Sequence, residues 1–146
     1  MPITTHLSWK EAESFTPPPN SVLISIRDSD ARRPFFKEGW VDILLLQFDD
    51  ATEEDERHYS NPTLFTAEDA DKIETFTEKY KHCDIITHCH AGISRSSAVC
   101  SYIHEAHGHT FALLPWTHPN PMIKKMLIRR LWEKLHGKEW KWLTKL

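Results

Sequence analysis

The sequence has few cysteines and no long apolar run. It contains only Cys83, Cys89 and Cys100 in 146 residues, and an odd, sparse set does not suggest a disulfide framework. We therefore expect free thiols in a reducing, cytoplasmic compartment. The apolar stretches are as short as ILLL at 43–46, far below the roughly 20 residues of a membrane span. The N-terminus also lacks the pattern of a signal peptide, so we expect no membrane partner.

An excess of positive charge is missing as well. The formal net charge is -3 at pH 7, which does not point to nucleic acid as a partner. The chain has no internal repeat and no low-complexity linker, and its length suits a single domain over residues 1–146. A hydrophobic share of 40% is enough for a real core. No heptad or repeated apolar face suggests an oligomer, so we expect a monomer.

Alternating strand and helix patterns predict an α/β fold. Strands are predicted at 21–26, 41–48 and 83–88, the second apolar on both faces as in a sheet covered from both sides. Helix ends are predicted from capping signals: Ser8 with Glu11, Thr66 with Asp69, Gly108 closing a helix from about Arg95, and Asn120 with Pro121 opening one that ends at Gly137. The buried face of this last helix is predicted from Ile123, Leu127, Leu131 and Leu135. We expect a three-layer α/β/α domain with a mostly parallel sheet of four or five strands.

The third predicted strand runs directly into HCHAGISRSS at 88–97. A strand, a tight turn and a helix N-terminus together present unpaired N–H groups and a partial positive charge to an anion. Gly92 lets the backbone bend and approach closely, and Arg95 can place a fork on two phosphate oxygens. The pattern predicts a phosphate-binding loop made of His90, Ala91, Gly92, Ile93, Ser94 and Arg95. We expect the side chain of His90 to face outward, where it either touches substrate or faces solvent.

Cys89 stands at the start of this loop. The field that holds a phosphate dianion is expected to stabilise a thiolate. Such a thiolate can attack phosphorus and form a phosphocysteine, which water then hydrolyses. Ser96 can hydrogen-bond the sulfur as it leaves in the second step. His88 is predicted to be structural, ordering the cysteine from the base of the loop.

The order His88-Cys89, five residues, Arg95-Ser96 resembles the signature of the cysteine-dependent protein phosphatases. HCHAGISRSSA is most similar to the dual-specificity and bacterial-type tyrosine phosphatase branch, where the loop typically reads H-C-x-A-G-x-S-R-S. VLISIRD, LLLQFDD and PNPMIKKML extend the likeness over roughly residues 20–136. The resemblance implies the cysteine-phosphatase fold and hydrolysis of phosphoprotein without cofactor or metal, with phosphotyrosine favoured. No Trp-Pro-Asp motif is present, so the large receptor-type phosphatases match less well.

The resemblance also implies a general acid, because the oxygen of the substrate leaves poorly unless it is protonated. In these phosphatases an aspartate on a separate loop, after an upstream strand, supplies the proton. Asp50 closes LLLQFDD and is the predicted acid, with Asp49 and then Asp55 as alternatives.

Other functions stay open at this point. The same loop could serve a phosphoinositide, an inositol phosphate or an RNA 5′ end, although relatives with highly charged substrates tend to carry lysines in the loop and none lies between Cys89 and Arg95. A phospho-reader would bind without turnover. Rhodanese or arsenate reductase chemistry also uses a loop cysteine, but the serine after Arg95 fits phosphatases better.

The remaining histidines, cysteines and tryptophans receive structural interpretations. His104 and His107 share a helix face, yet the ten histidines show no defined metal-ligand pairs, so we expect no metal site. Cys83 and Cys100 are predicted to be core residues, either of which could act as a resolving thiol for oxidised Cys89. The C-terminal tryptophans are expected to pack on the domain, with membrane-surface or partner binding as the alternative: Trp132, Trp140 and Trp142.

Overall fold

A computed structural model of the chain describes residues 1–51, 62–112 and 117–137. Asp55, Trp140 and Trp142 lie outside the described residues. The elements are β1 (Thr4–Leu7), α1 (Trp9–Ser14), β2 (Ser21–Arg27), β3 (Ile43–Gln47), α2 (Ala67–Lys79), β4 (Asp84–His88), α3 (Arg95–His107) and α4 (Pro121–His136). Within these ranges, no helix has both the length and the apolar character needed to cross a bilayer.

The sheet has the strand order β1-β4-β2-β3, and every neighbouring pair is parallel. Val22, Ile24 and Ile26 of β2 point to one face, where α2, α3 and α4 cover them. The alternate residue Ser25 faces the other side, where its hydroxyl meets His88 beneath the ring of Trp9 on α1. The α/β/α prediction is therefore confirmed, with a four-stranded, all-parallel sheet.

The helix ends follow the capping signals in the sequence. Ser8 and Thr66 each form a complete capping box, with Glu11 and Asp69 respectively. Gly108 closes α3 in the left-handed conformation, with φ +72°. These signals are local, which explains why the predicted boundaries lie within two residues of the observed ones.

Three expectations about burial and strands need correction. β3 is an edge strand rather than a strand covered on both faces, and Leu45 is 42% exposed although Leu46 is buried. On α4 the core ends at the partly buried Leu131, so Leu135 is exposed rather than packed. β1 was not predicted, because its four residues carry little pattern of their own; it pairs with β4 at the opposite edge of the sheet.

Because the strands are parallel, their carboxyl ends all lie at the same end of the sheet. Open α/β sheets bind their ligands at this end. Ser8, Asp28, Phe48 and Cys89 each follow one of the strands directly. The candidate site is assembled there.

Candidate active site

The loop between β4 and α3 turns sharply at Gly92, which has φ +72°. A Cβ at this position would lie 2.6 Å from the carbonyl carbon of Leu7 and 2.6 Å from the nitrogen of Ser8. Both are backbone atoms that cannot move aside as a side chain would, and the left-handed conformation itself favours glycine. The loop therefore lies directly against the end of β1, and only glycine fits at the contact.

Backbone hydrogen bonds join the loop to β1 and to the residues that follow it. The N–H of Cys89 donates to the carbonyl of Leu7 at 3.3 Å, and the N–H of Trp9 donates to the carbonyl of His90 at 3.0 Å. Nδ1 of His6 lies 2.6 Å from the carbonyl oxygen of Gly92, to which it donates when protonated. His6 was missed by the sequence analysis because its role depends on β1, which was itself missed.

Cys89 and Ser96 meet at the N-terminal end of α3. The Cys89 Sγ lies 3.2 Å from the Ser96 Oγ, and both side chains are buried. The first turn of a helix directs unpaired N–H groups and a partial positive charge outward from its start. The sulfur and its hydroxyl partner thus share an environment that stabilises negative charge.

Arg95 is buried, yet only part of its guanidinium is engaged. Nη1 donates to the carbonyl of Phe48 at 2.8 Å and lies 2.7 Å from Oδ1 of Asp28. Nε is also buried, and none of the described residues accepts its hydrogen bond. A buried donor without a partner is unfavourable by about 1–3 kcal/mol. An oxyanion held in the loop would satisfy it.

Asp28 was missed by the sequence analysis. A signal for it exists, because it directly follows β2, whose residues are almost all buried, and the candidate acids likewise lie shortly after a strand. The sequence cannot reveal its partner, however, since Arg95 follows a different strand and becomes a neighbour only in the folded sheet.

Asp50 follows β3 in the chain, and its side chain lies against the Cys89 loop. Its Oδ1 accepts hydrogen bonds from the Ser94 hydroxyl at 2.9 Å and from Nδ2 of Asn120 at 2.9 Å. Among the described residues, none donates to its other oxygen, Oδ2. The Asp50 side chain is exposed, so it borders the loop from the solvent side.

Asp49, the first alternative, makes its hydrogen bonds with residues outside the Cys89 loop, although the charge of Arg95 acts on it. It accepts hydrogen bonds from the backbone N–H and hydroxyl of Ser29 and from the N–H of Thr63. Burial raises the pKa of Asp49, but these hydrogen bonds outweigh it, so that the pKa lies below its ordinary value. Asp49 is thus an ionised link between the chain after β2 and the chain before α2.

His88 is fully buried beneath the loop. Its Nε2 lies 2.7 Å from the Ser25 hydroxyl and its Nδ1 3.4 Å from the carbonyl of Cys89, while the rings of Trp9 and Phe36 approach it edge-on. Burial lowers the pKa of His88 to about 4. A neutral imidazole that accepts from Ser25 and donates to the Cys89 carbonyl can order the base of the loop.

The other predicted loop residues divide between the interior and the mouth. Gly92 is buried, Ser94 is half-buried, and the outward-facing residues are His90, Ala91 and Ile93. His90 therefore faces outward as expected for a variable position.

The two other cysteines differ from Cys89 in position or in environment. Cys83 comes before β4 whereas Cys89 follows it, so the two lie at opposite ends of the strand. Cys100 is buried against the hydroxyls of Thr4 and Thr87, and burial raises its pKa to about 11. Neither environment favours a resolving thiolate.

The remaining histidines have contacts of their own. His107 meets the Thr77 hydroxyl and His109 the Cys83 carbonyl through Nε2, and over the described parts of the chain no three His, Cys, Asp or Glu side chains form a group that could hold a metal ion. Trp132 is 44% exposed and stacks on His136.

The carboxyl end of the sheet thus gathers a thiol with a hydroxyl partner, a buried guanidinium with one unpaired donor among the described residues, and a carboxyl group hydrogen-bonded to the loop from the chain after β3. Such a set can bind a tetrahedral oxyanion, attack it and exchange a proton with it. Comparison with known proteins yields no family for this chain: no family model matches it, and no curated protein matches it at a significant level.

Proposed function

We propose that the chain is a cysteine-dependent phosphatase that hydrolyses phosphomonoesters on proteins, with phosphotyrosine as the preferred substrate. The observation that carries the proposal is the state of Arg95. Its guanidinium is buried beside the Cys89 loop and anchored through Nη1, while its buried Nε meets no acceptor among the described residues. A phosphate in the loop supplies that acceptor and lies in front of the sulfur.

In the first step the Cys89 thiolate attacks phosphorus. The S–P bond forms as the bond from phosphorus to the substrate oxygen breaks, and that oxygen takes a proton from the carboxyl group of Asp50. Arg95 and the N–H groups at the start of α3 hold the three remaining phosphoryl oxygens. The products are the free alcohol or phenol and a phosphocysteine.

In the second step water attacks the phosphocysteine. The Asp50 carboxylate accepts a proton from the water, and the S–P bond breaks with its electron pair returning to sulfur. The hydroxyl of Ser96, 3.2 Å from Sγ, donates a hydrogen bond to the departing thiolate. Inorganic phosphate is released and Asp50 regains its proton.

Two observations support Asp50 over Asp49 as the acid. Asp50 is hydrogen-bonded to the loop through Ser94, whereas Asp49 is occupied by Ser29 and Thr63. In addition, hydrogen bonding keeps the pKa of Asp49 below its ordinary value, which suits a permanent anion better than a proton donor.

The test is hydrolysis of p-nitrophenyl phosphate in the presence of EDTA, followed by phosphotyrosine, phosphoserine and phosphothreonine peptides. Wild type is expected to turn over and to prefer phosphotyrosine. Cys89→Ser should lose at least about 10⁴-fold in kcat, whereas Cys83→Ser, a matched change outside the loop, should leave it intact.

Other results would point to other functions. Binding of vanadate or a phosphopeptide without hydrolysis by wild type would identify a phospho-reader. Activity that survives Cys89→Ser, or that EDTA abolishes, would refute the phosphocysteine mechanism. Turnover of inositol phosphates in preference to phosphopeptides would show that the substrate is not a phosphoprotein.

A further inference from the structure

Asn120 connects three parts of the candidate site. Its Oδ1 accepts the N–H groups of Met122 at 3.0 Å and Ile123 at 3.1 Å, which caps α4. Its backbone N–H donates to the carbonyl of Ser94 at 3.0 Å. Its Nδ2 donates to Oδ1 of Asp50 at 2.9 Å, and the whole residue is buried.

The helix cap decides which way the amide of Asn120 faces. The N–H groups at the start of α4 require an acceptor, so the carbonyl oxygen must point to the helix. The NH₂ group therefore points to Asp50 and, at 3.3 Å, to the carbonyl of the next residue, Ala51. Serine and aspartate cap helices about as well as asparagine, but serine is too short to reach Asp50 and aspartate has no donor. The helix cap alone therefore does not require an asparagine side chain at position 120.

We infer that Asn120 is a positioning residue for the general acid, an inference that rests on the proposed function. Oδ1 of Asp50 already accepts two hydrogen bonds, from Ser94 and Asn120. A proton on Oδ1 would compete with these donors, so the dissociable proton resides on Oδ2. Asn120 thereby selects the oxygen that protonates the leaving group and fixes its direction.

The experiment compares Asn120→Ser and Asn120→Asp with wild type on two substrates. p-Nitrophenyl phosphate has a good leaving group, whereas phenyl phosphate depends much more on the acid. Both variants keep a helix cap, so both should melt close to wild type. We expect each to lose about 10-fold or more in kcat on phenyl phosphate and much less on p-nitrophenyl phosphate.

A control and a double variant separate positioning from general damage. Thr66→Ala removes the cap of α2, which Thr66 forms with Asp69 and not with Asp50, and should leave the ratio of the two rates unchanged. In the Asp50→Asn background, Asn120→Ser should cause no further loss on either ester, because its effect passes through Asp50.

Three outcomes overturn the inference. A loss that is equal on the two esters would mean that Asn120 serves folding alone, and so would additive losses in the double variant. If wild type hydrolyses both esters and Asp50→Asn loses rate mainly on phenyl phosphate, while both Asn120 variants retain the wild-type ratio, only the inference fails. If wild type hydrolyses neither ester, the proposed function fails and the inference with it.

Discussion

Oδ1 of Asp28 lies 2.7 Å from Nη1 of Arg95, and this ion pair joins the end of β2 to the start of α3. The same nitrogen donates to the carbonyl of Phe48 at the end of β3. Two strand ends thus fix one edge of the guanidinium. No described residue accepts a hydrogen bond from Nε. The contacts of Nη1 therefore hold Nε in place.

Removing Asp28 should therefore weaken anion binding rather than strengthen it. We expect Asp28→Ala to lower vanadate affinity and kcat/KM by about 10-fold or more, because the guanidinium is no longer held at its strand end. Asp30→Ala, an exposed acid two residues along, should have little effect. Tighter vanadate binding by Asp28→Ala would show that the carboxylate competes with the substrate for Arg95.

Gly92→Ala should abolish activity and destabilise the fold. Gly108 is the matched control, because it has the same φ of +72° but open space around the added Cβ, whereas at Gly92 the Cβ meets the backbone of β1. Gly108→Ala should cost only the strain of its conformation, about 1 kcal/mol. Gly92→Ala should lose more free energy of unfolding than Gly108→Ala and should also lose kcat. Urea titration measures the first loss and hydrolysis of p-nitrophenyl phosphate the second. Equal losses of stability would mean that the contact with β1 is unimportant.

Ser96→Ala should slow the second chemical step more than the first. The variant loses the hydrogen bond to the departing thiolate, and a hydrogen bond to a charged group is worth about 1.5–3 kcal/mol, or roughly 10–100-fold in rate. Stopped-flow measurement should show a burst of p-nitrophenol equal to the enzyme concentration. Ser101→Ala, whose hydroxyl donates to the Ser97 carbonyl of its own helix, should behave as wild type. A slow first step without a burst would contradict this role.

Buried His88 should make stability fall on mild acidification. Burial lowers the pKa of His88 from its ordinary 6.5 to about 4, so the unfolded chain binds this proton more readily than the folded one. The contribution of His88 to the free energy of unfolding is therefore fully present above pH 6.5. It is lost as the pH falls toward 4, and the total loss is about 3 kcal/mol. Urea unfolding at several pH values measures the loss.

The window from pH 6.5 to 5 separates this effect from that of the carboxylates. Groups such as Asp49, whose pKa is lowered, give up their stabilisation only at lower pH. Burial also lowers the pKa of His107, so His107→Gln is the companion variant. His88→Asn should flatten the pH dependence more than His107→Gln does. An unchanged slope in His88→Asn would refute the neutral, buried state of His88.

The sequence predicted those parts of the molecule that depend on neighbours along the chain. Caps such as Thr66 with Asp69 act over three residues, and the strand, turn and helix around Cys89 follow directly from HCHAGISRSS. For the same reason the contact between Cys89 and Ser96 could be expected, since both residues belong to one loop and helix start.

What the sequence did not predict depends on strand order. Nothing in the composition of LLLQF shows that β3 lies at the edge of the sheet, so the exposure of Leu45 was unforeseen. The partners of Asp28 and His6 lie in the loop and helix that follow β4, and neither partner can be found from spacing along the chain. Asn120 was recognised as a cap, but its contact with Asp50 required the packed α4.

The bracing of the loop by β1 also has a consequence for folding. His6 and Gly92 are separated by 86 positions, and Asn120 and Asp50 by 70, so these contacts are among those that close the longest loops and form slowly. Until the sheet is complete, the loop around Cys89 lacks these supporting contacts. If the proposed function holds, a partly folded chain that lacks these contacts should not hydrolyse phosphomonoesters.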